Sequence, residues 1–253
     1  MKKKLFLIMA VTAALFVLIS YSRNSPEEIF SRVKAAGLMP GAKRLCYNVY
    51  LFGVLPVGSA ELTEAGLDKH NEKQLYRLNA SARSSVILSK IYPLSASIDS
   101  FLEPKTLLPA MYIQNIKTKD KELAKEAIYD QTAHIMQIKG ERRSILAETY
   151  EPLSALSKLR RLDLEKTNSF DLNINTNQKN YAFTGEIKRG EINANGKRTE
   201  IYILKGKIFR RDKNPYHQSK VDFIFLADED KTPIFIKVFA SGGLITARLV
   251  RAE

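Results

Sequence analysis

Three histidines, one cysteine and one acidic run are the obvious candidates for catalysis or metal binding. His70, His134 and His217 stand far apart, each in a polar loop or at a strand end. None has a second ligand at metal-binding spacing, so each reads as a solvated imidazole. Asp228, Glu229 and Asp230 offer the oxygens a hard cation takes. The spacing of a calcium loop is missing, however, and an acidic turn between two strands is expected there. Cys46 has no second cysteine to pair with, so no internal disulfide forms. Its apolar surroundings predict a buried, inert thiol. There is no Gly-x-Ser-x-Gly elbow, no His-Glu-x-x-His pair and no glycine-rich phosphate loop. No catalytic residue, metal ligand or cofactor site is assigned, although carboxylates distant in the chain can still meet in space.

What rises above background is an apolar surplus in two connecting segments. Ser84–Pro93 interrupts a run of strands; Ser84 is placed to cap a short helix, and Pro93 forbids its continuation. Ile87, Leu88 and Ile91 fall on one side of it at helical spacing, with Tyr92 next to them. The second segment is Glu151–Arg161. Pro152 suits a first helical position, and Leu153, Leu156 and Leu159 make an apolar stripe. Lys158, Arg160 and Arg161 crowd the last turn, where cations offset the helix dipole. A curved sheet that cannot fill its own interior leaves a cavity, and apolar walls bind apolar ligands. Ile87, Leu88, Ile91 and Tyr92 are then the expected lid, and Leu153 and Leu156 the expected floor. The plainer alternative is that both helices only close the core.

The elements that would position these segments are strands. Leu45, Tyr47, Val49 and Leu51 alternate with Cys46, Asn48, Tyr50 and Phe52, and both faces look largely apolar, as in a strand covered on two sides. Val57–Thr63 returns as a second strand, and 66–71 reads as a polar loop. Further strands are expected at 76–82, 95–102, 109–117, 123–129 and 133–139. After the central helix, Phe170, Leu172 and Ile174 alternate with polar partners, and Tyr181, Phe183 and Ile187 repeat the pattern. Asn195-Gly196 is a two-residue hairpin turn. A second turn is expected at Gly206-Lys207, and strands at 221–226, 233–239 and 245–250. About a dozen short strands with no repeat or long linker predict an all-β, mainly antiparallel fold: one strongly curved sheet, half-barrel or open barrel with a few short helices.

The first 22 residues read as an export signal, with Lys2–Lys4 ahead of an apolar run from Leu5 to Ile19 and small residues at Ser20 and Ser22. An uncleaved membrane anchor over residues 5–21 is the alternative. Residues 23–43 then supply a helix, Pro26–Gly37, and a linker, and 44–253 form a single β-rich domain. This places the protein in the periplasm or cell envelope. The formal charge of +13 favours anionic partners, and in the envelope an anionic membrane surface is one. Nucleic acid is not expected, because no long Lys/Arg run and no nucleic-acid-binding motif occurs.

Four blocks stand out: Tyr47–Ala60; Ala96–Pro104 with Leu108-Pro109; Pro152–Leu156 with Leu159-Arg160; and Asp228–Asp230 continuing through Thr232–Ile234 to Gly243–Ala247. Together they resemble an exported bacterial family, domain-of-unknown-function family 3108. The third block carries Glu151 where the family pattern usually has Asp. Glu is a poorer N-cap, which predicts a frayed or shifted helix start. The resemblance implies an exported β-rich domain with no assigned activity. Curved sheets with helices on the inner side also occur in periplasmic lipoprotein carriers, a likeness of fold alone. The expected function is a non-enzymatic envelope binder or carrier of a lipid or other amphiphile. An envelope scaffold that binds an unspecified protein through a sheet edge comes second, and an unrecognised hydrolase third.

Overall fold

Alternating side chains from Leu45 onward bury one face of most strands, and every described strand joins a single sheet. The computed structural model describes residues 43–70, 72–176, 178–194, 197–211, 219–240 and 243–253. The expected export signal, the expected 26–37 helix, the expected Asn195-Gly196 turn and His217 lie outside the described residues. The strands are β1 Arg44–Leu51, β2 Leu55–His70, β3 Lys73–Ser84, β4 Leu94–Leu102, β5 Pro109–Thr118, β6 Glu122–Asp130, β7 Ile135–Ile138 and β8 Glu141–Ser144. They continue as β9 Thr149–Tyr150, β10 Ser169–Thr176, β11 Lys179–Ala194, β12 Lys197–Arg210, β13 Ser219–Leu226, β14 Pro233–Ala240 and β15 Gly243–Ala252. Two helices are described, α1 Val86–Ser89 and α2 Pro152–Arg160. Among the described residues no helix is long and apolar enough to cross a membrane.

The sheet runs β8-β7-β6-β5-β4-β3-β2-β1-β15-β14-β13-β12-β11-β10-β9. All its pairings are antiparallel except β9 with β10. The chain therefore starts in the middle, meanders to one edge, crosses to the other edge at β9, and meanders back. The open, curved antiparallel sheet expected from the alternation is present. One core cluster runs across the sheet from Leu102 of β4 through Leu78, Leu62, Tyr47, Leu249, Ile234 and Ile224 to Ile201 of β12. The curvature shows at the edges, which stand at opposite ends of the strand order and yet come together. The two edges meet without a ladder. Asn173 Nδ2 donates to the Ala147 carbonyl at 2.8 Å, and Asn180 Nδ2 to the Ser144 carbonyl at 3.1 Å.

Several local expectations change. β2 reaches His70 instead of stopping near Thr63, because Gly66, at φ 84°, absorbs a bulge that lets polar residues stay in the ladder. Gly206 is not a turn but lies inside β12, where a Cβ would sit 2.4 Å from the Phe183 ring; the glycine makes room for an aromatic. Cys46 is half-exposed with an Arg251 guanidinium 3.8 Å from Sγ, and Asn48 is exposed, so the outer face of β1 is not covered. The short helix α1 is capped by Ser85, not Ser84. The Ser84 hydroxyl instead donates to the Tyr92 carbonyl and accepts from Leu94 N–H, tying the two ends of the connection together.

The second helix fills the concave side. Leu153 joins the cluster shared by both halves. Ala155 and Leu159 join a second one with Phe170, Phe183, Phe223 and Phe225, and Leu156 packs against both. A stripe repeating every three residues drifts around a helix of 3.6 residues per turn, which suits an element surrounded by core rather than lying on it. Arg160 anchors the far end, pairing with Glu64 of β2 and donating to the Asp230 carbonyl in the β13–β14 turn.

Candidate functional site

The helix start that Glu151 is expected to fray is instead closely hydrogen-bonded. Glu151 is 1 % exposed. It has extended backbone angles, and its side chain accepts from the Leu153 and Ser154 N–H groups. The Ser154 hydroxyl returns the favour by accepting from Glu151 N–H at 2.9 Å, which completes a capping box with the roles of acid and hydroxyl exchanged. A fourth partner comes from the opposite half of the sheet, where Ser100 Oγ of β4 donates to Glu151 Oε1 at 2.7 Å. Glu supplies the extra methylene that lets one carboxylate cap α2 and reach β4 together.

Burial pushes the Glu151 carboxyl above its ordinary range, against the pull of the Ser100, Leu153 and Ser154 donors. A raised carboxyl favours its neutral form in the fold. Its contribution is full below the ordinary carboxylate pKa and is lost as pH rises through the raised value. Urea unfolding midpoints measured at about pH 5 and about pH 8 are therefore expected to fall with pH more in the wild type than in Glu151→Gln, which has no proton to lose. Equal slopes would show that the carboxyl is not held neutral.

Glu151 and Pro152 form part of the wall of a cavity of about 380 Å³. Inward-facing residues of three neighbouring strands build one wall: Tyr112, Gln114 and Ile116 of β5, Leu123, Lys125, Ala127 and Tyr129 of β6, and Met136 and Ile138 of β7. Asn175 and Thr176 of β10 and the following Gln178 stand opposite. Burial grades along it. Tyr129, Met136, Glu151 and Asn175 are buried, Ile116, Leu123, Lys125 and Thr176 are half-exposed, and Gln178 is exposed. The cavity thus opens toward the β5–β6 hairpin and the β10–β11 turn. Burial raises the hydroxyls of Tyr112 and Tyr129, so both stay protonated donors.

The opening follows from strand lengths. β7 pairs with β6 only from Ala127 to Asp130, and β9 pairs with β10 only at Asn173 and Ile174. Beyond those points the two edges have no ladder partner among the described residues, and the cavity lies in the seam.

The residues expected to hold a ligand are placed differently. Ile87, Ile91 and Tyr92 are 81, 79 and 56 % exposed, Leu88 is half-exposed, and none lines the cavity. Leu153 is buried in the core and Leu156 is half-buried between two clusters; neither lines the cavity. Sequence reasoning passed over the β5–β6 residues, although Gln114 and Lys125 at inward positions of apolar strands are the signal that could have found them. His70 lies 5.2 Å from the Phe101 ring and His134 is exposed in a turn. Among the described residues no group of three His, Cys, Asp or Glu is arranged to hold a metal ion.

Comparison with known proteins bears on the fold and on kinship. A solved beta-barrel-like protein of the domain of unknown function DUF1849 from Brucella abortus is similar, with a TM-score of 0.55 at 12 % identity over 82 % of this chain and 95 % of that one. At that identity the likeness shows the fold alone. A DUF1089 family protein from Pseudomonas aeruginosa overlaps 68 % of this chain and 87 % of its own at 10 % identity, with a TM-score of 0.37. No curated protein matches the chain. Residues 46–250 match the family described as protein of unknown function DUF3108. That match takes in every strand of the sheet and both described helices, and the chain belongs to the DUF3108 family.

Proposed function

We propose that this protein is an exported, non-enzymatic binder of the cell envelope that holds a single-chain lipid or similar amphiphile in the seam cavity. The observation that carries this reading is the mixed lining. Ile116, Leu123, Met136 and Ile138 offer apolar surface, while Gln114, Asn175, Tyr112 and Tyr129 offer hydrogen-bonding groups. A molecule with one apolar and one polar part satisfies both, and the volume of about 380 Å³ falls in the ordinary range for a small-ligand site. The amino-terminal Lys2–Lys4 and the apolar run after them support export.

Binding of dansyl-undecanoic acid, followed by fluorescence, tests it. Gln114→Trp places a large ring from a half-exposed position into the cavity and is expected to weaken binding tenfold or more, about 1.4 kcal/mol. Leu67→Ser, at an exposed site outside the cavity, is expected to leave it unchanged. A wild type that fails to bind, or a Gln114→Trp protein that binds as well as wild type, overturns the reading. Mass spectrometry of lipids that co-purify with the protein would identify the natural ligand.

A second reading, an envelope scaffold that pairs with another protein through a sheet edge, is favoured by the stretch of β6 from Glu122 to Glu126 that runs past the β7 ladder. Three of those five residues are charged, which blunts such an edge. Cross-linking in the parent cell would return a protein partner on this reading and none on the first.

A further inference from the structure

Ten large apolar side chains are exposed among the described residues, and eight of them gather at one end of the sheet. Phe52 and Leu55 flank the β1–β2 turn, and Phe239 and Ile245 lie at the β14–β15 end. Val86, Ile87, Ile91 and Tyr92 belong to the α1 connection. These three connections touch: Phe52 N–H donates to the Leu244 carbonyl, and Ser85 N–H to the Val57 carbonyl. The cavity opens at the same end. Leu94, where the α1 connection returns to the sheet, pairs with Thr118 at the base of the β5–β6 hairpin.

Charge divides along the same axis. The described connections at this end carry Lys90, Lys119, Lys121 and Arg211 against Asp120 alone. Those at the opposite end are net acidic: Glu72, Glu103, Glu148, Asp163, Glu165 and Asp228–Asp230 outnumber Lys105, Arg161, Lys166 and Lys231. We propose that the apolar end, with α1 at its tip, inserts into an anionic lipid bilayer and brings the cavity mouth to the membrane surface. Apolar tips backed by lysines are the arrangement that an interface of acyl chains beneath anionic head groups rewards. The acidic far end would be turned away by the same surface. This surface rests on the carrier reading for its purpose, though not for its existence.

The chain has no tryptophan, so one introduced tryptophan reports on its own position. The full chain carrying Ile91→Trp, mixed with phosphatidylglycerol–phosphatidylethanolamine vesicles, is expected to shift its emission to the blue. Its quenching by acrylamide should fall at least about threefold. Leu67→Trp, exposed but away from this end, should show neither change, which separates docking by this surface from tethering by residues 5–21. Ile87→Asp added to Ile91→Trp is expected to restore most of the quenching. The shift should be weaker on phosphatidylcholine vesicles. An unshifted Ile91→Trp emission, or an equal shift at both positions, overturns the proposal. So does a double variant that behaves like the single one, or equal shifts on both vesicle types, and a protein partner for this end would then have to be sought. The readout needs no ligand in the cavity, so it fails independently of fatty-acid binding.

Discussion

Glu151→Ala is expected to lower the stability of the domain by about 2–4 kcal/mol, from the loss of an N-cap and the stranding of buried partners. The carboxyl group accepts from two helix N–H groups and from the hydroxyl of Ser100, itself fully buried. Alanine removes the acceptor from all three. Glu151→Gln keeps one oxygen for Ser100 and Ser154 and should recover at least about half of the loss, on the scale of one buried hydrogen bond. Urea unfolding followed by circular dichroism would measure both. An alanine variant as stable as wild type would mean that the Ser100–Glu151 link between the two halves of the sheet contributes nothing.

Leu159→Ala should be at least as costly, about 3–4 kcal/mol, or a fall in Tm of roughly 8–12 °C for a domain of this size. Leu159 is 0 % exposed and packs in the cluster with Phe170, Phe183 and Phe225. Truncation leaves a void that aromatic neighbours, fixed by their own packing, fill poorly. Leu156→Ala, at a half-buried position between the two clusters, should cost less, about 1–2 kcal/mol. Calorimetry on the pair ranks them. Equal losses would mean that the helix is held as a loose plug without a preferred face.

The strands were legible because alternation is a local signal, and the helix over Pro152–Arg160 because its proline, leucine spacing and basic last turn agree. The family blocks were legible for the same reason. What escaped depends on the partner strand. Gly206 has the composition of a turn, and only the Phe183 ring across the sheet explains why it sits within a strand. Gly66 looks like the start of a loop until β3 is seen to pair past it. Glu151 was judged by its intrinsic capping preference, which ignores a serine fifty-one residues earlier that arrives through the fold. The cavity was expected under the greasiest connectors, but those point outward. Its walls come from strand positions that are unremarkable in isolation and meet only because the β6–β7 and β9–β10 ladders stop early.

The central place of β1 has one more consequence. Arg44 and Glu253 exchange both backbone hydrogen bonds, at 2.9 Å each, so the beginning and the end of the sheet lie side by side. A chain made from its amino end must hold β1 half-unzipped until β15 appears, since β15 alone covers that flank. Assembly is therefore slow and late, governed by the closure of a loop of some two hundred residues. By the same geometry, a circular permutant that joins these neighbours through a short bridge and opens the chain between β11 and β12 should keep every ladder intact.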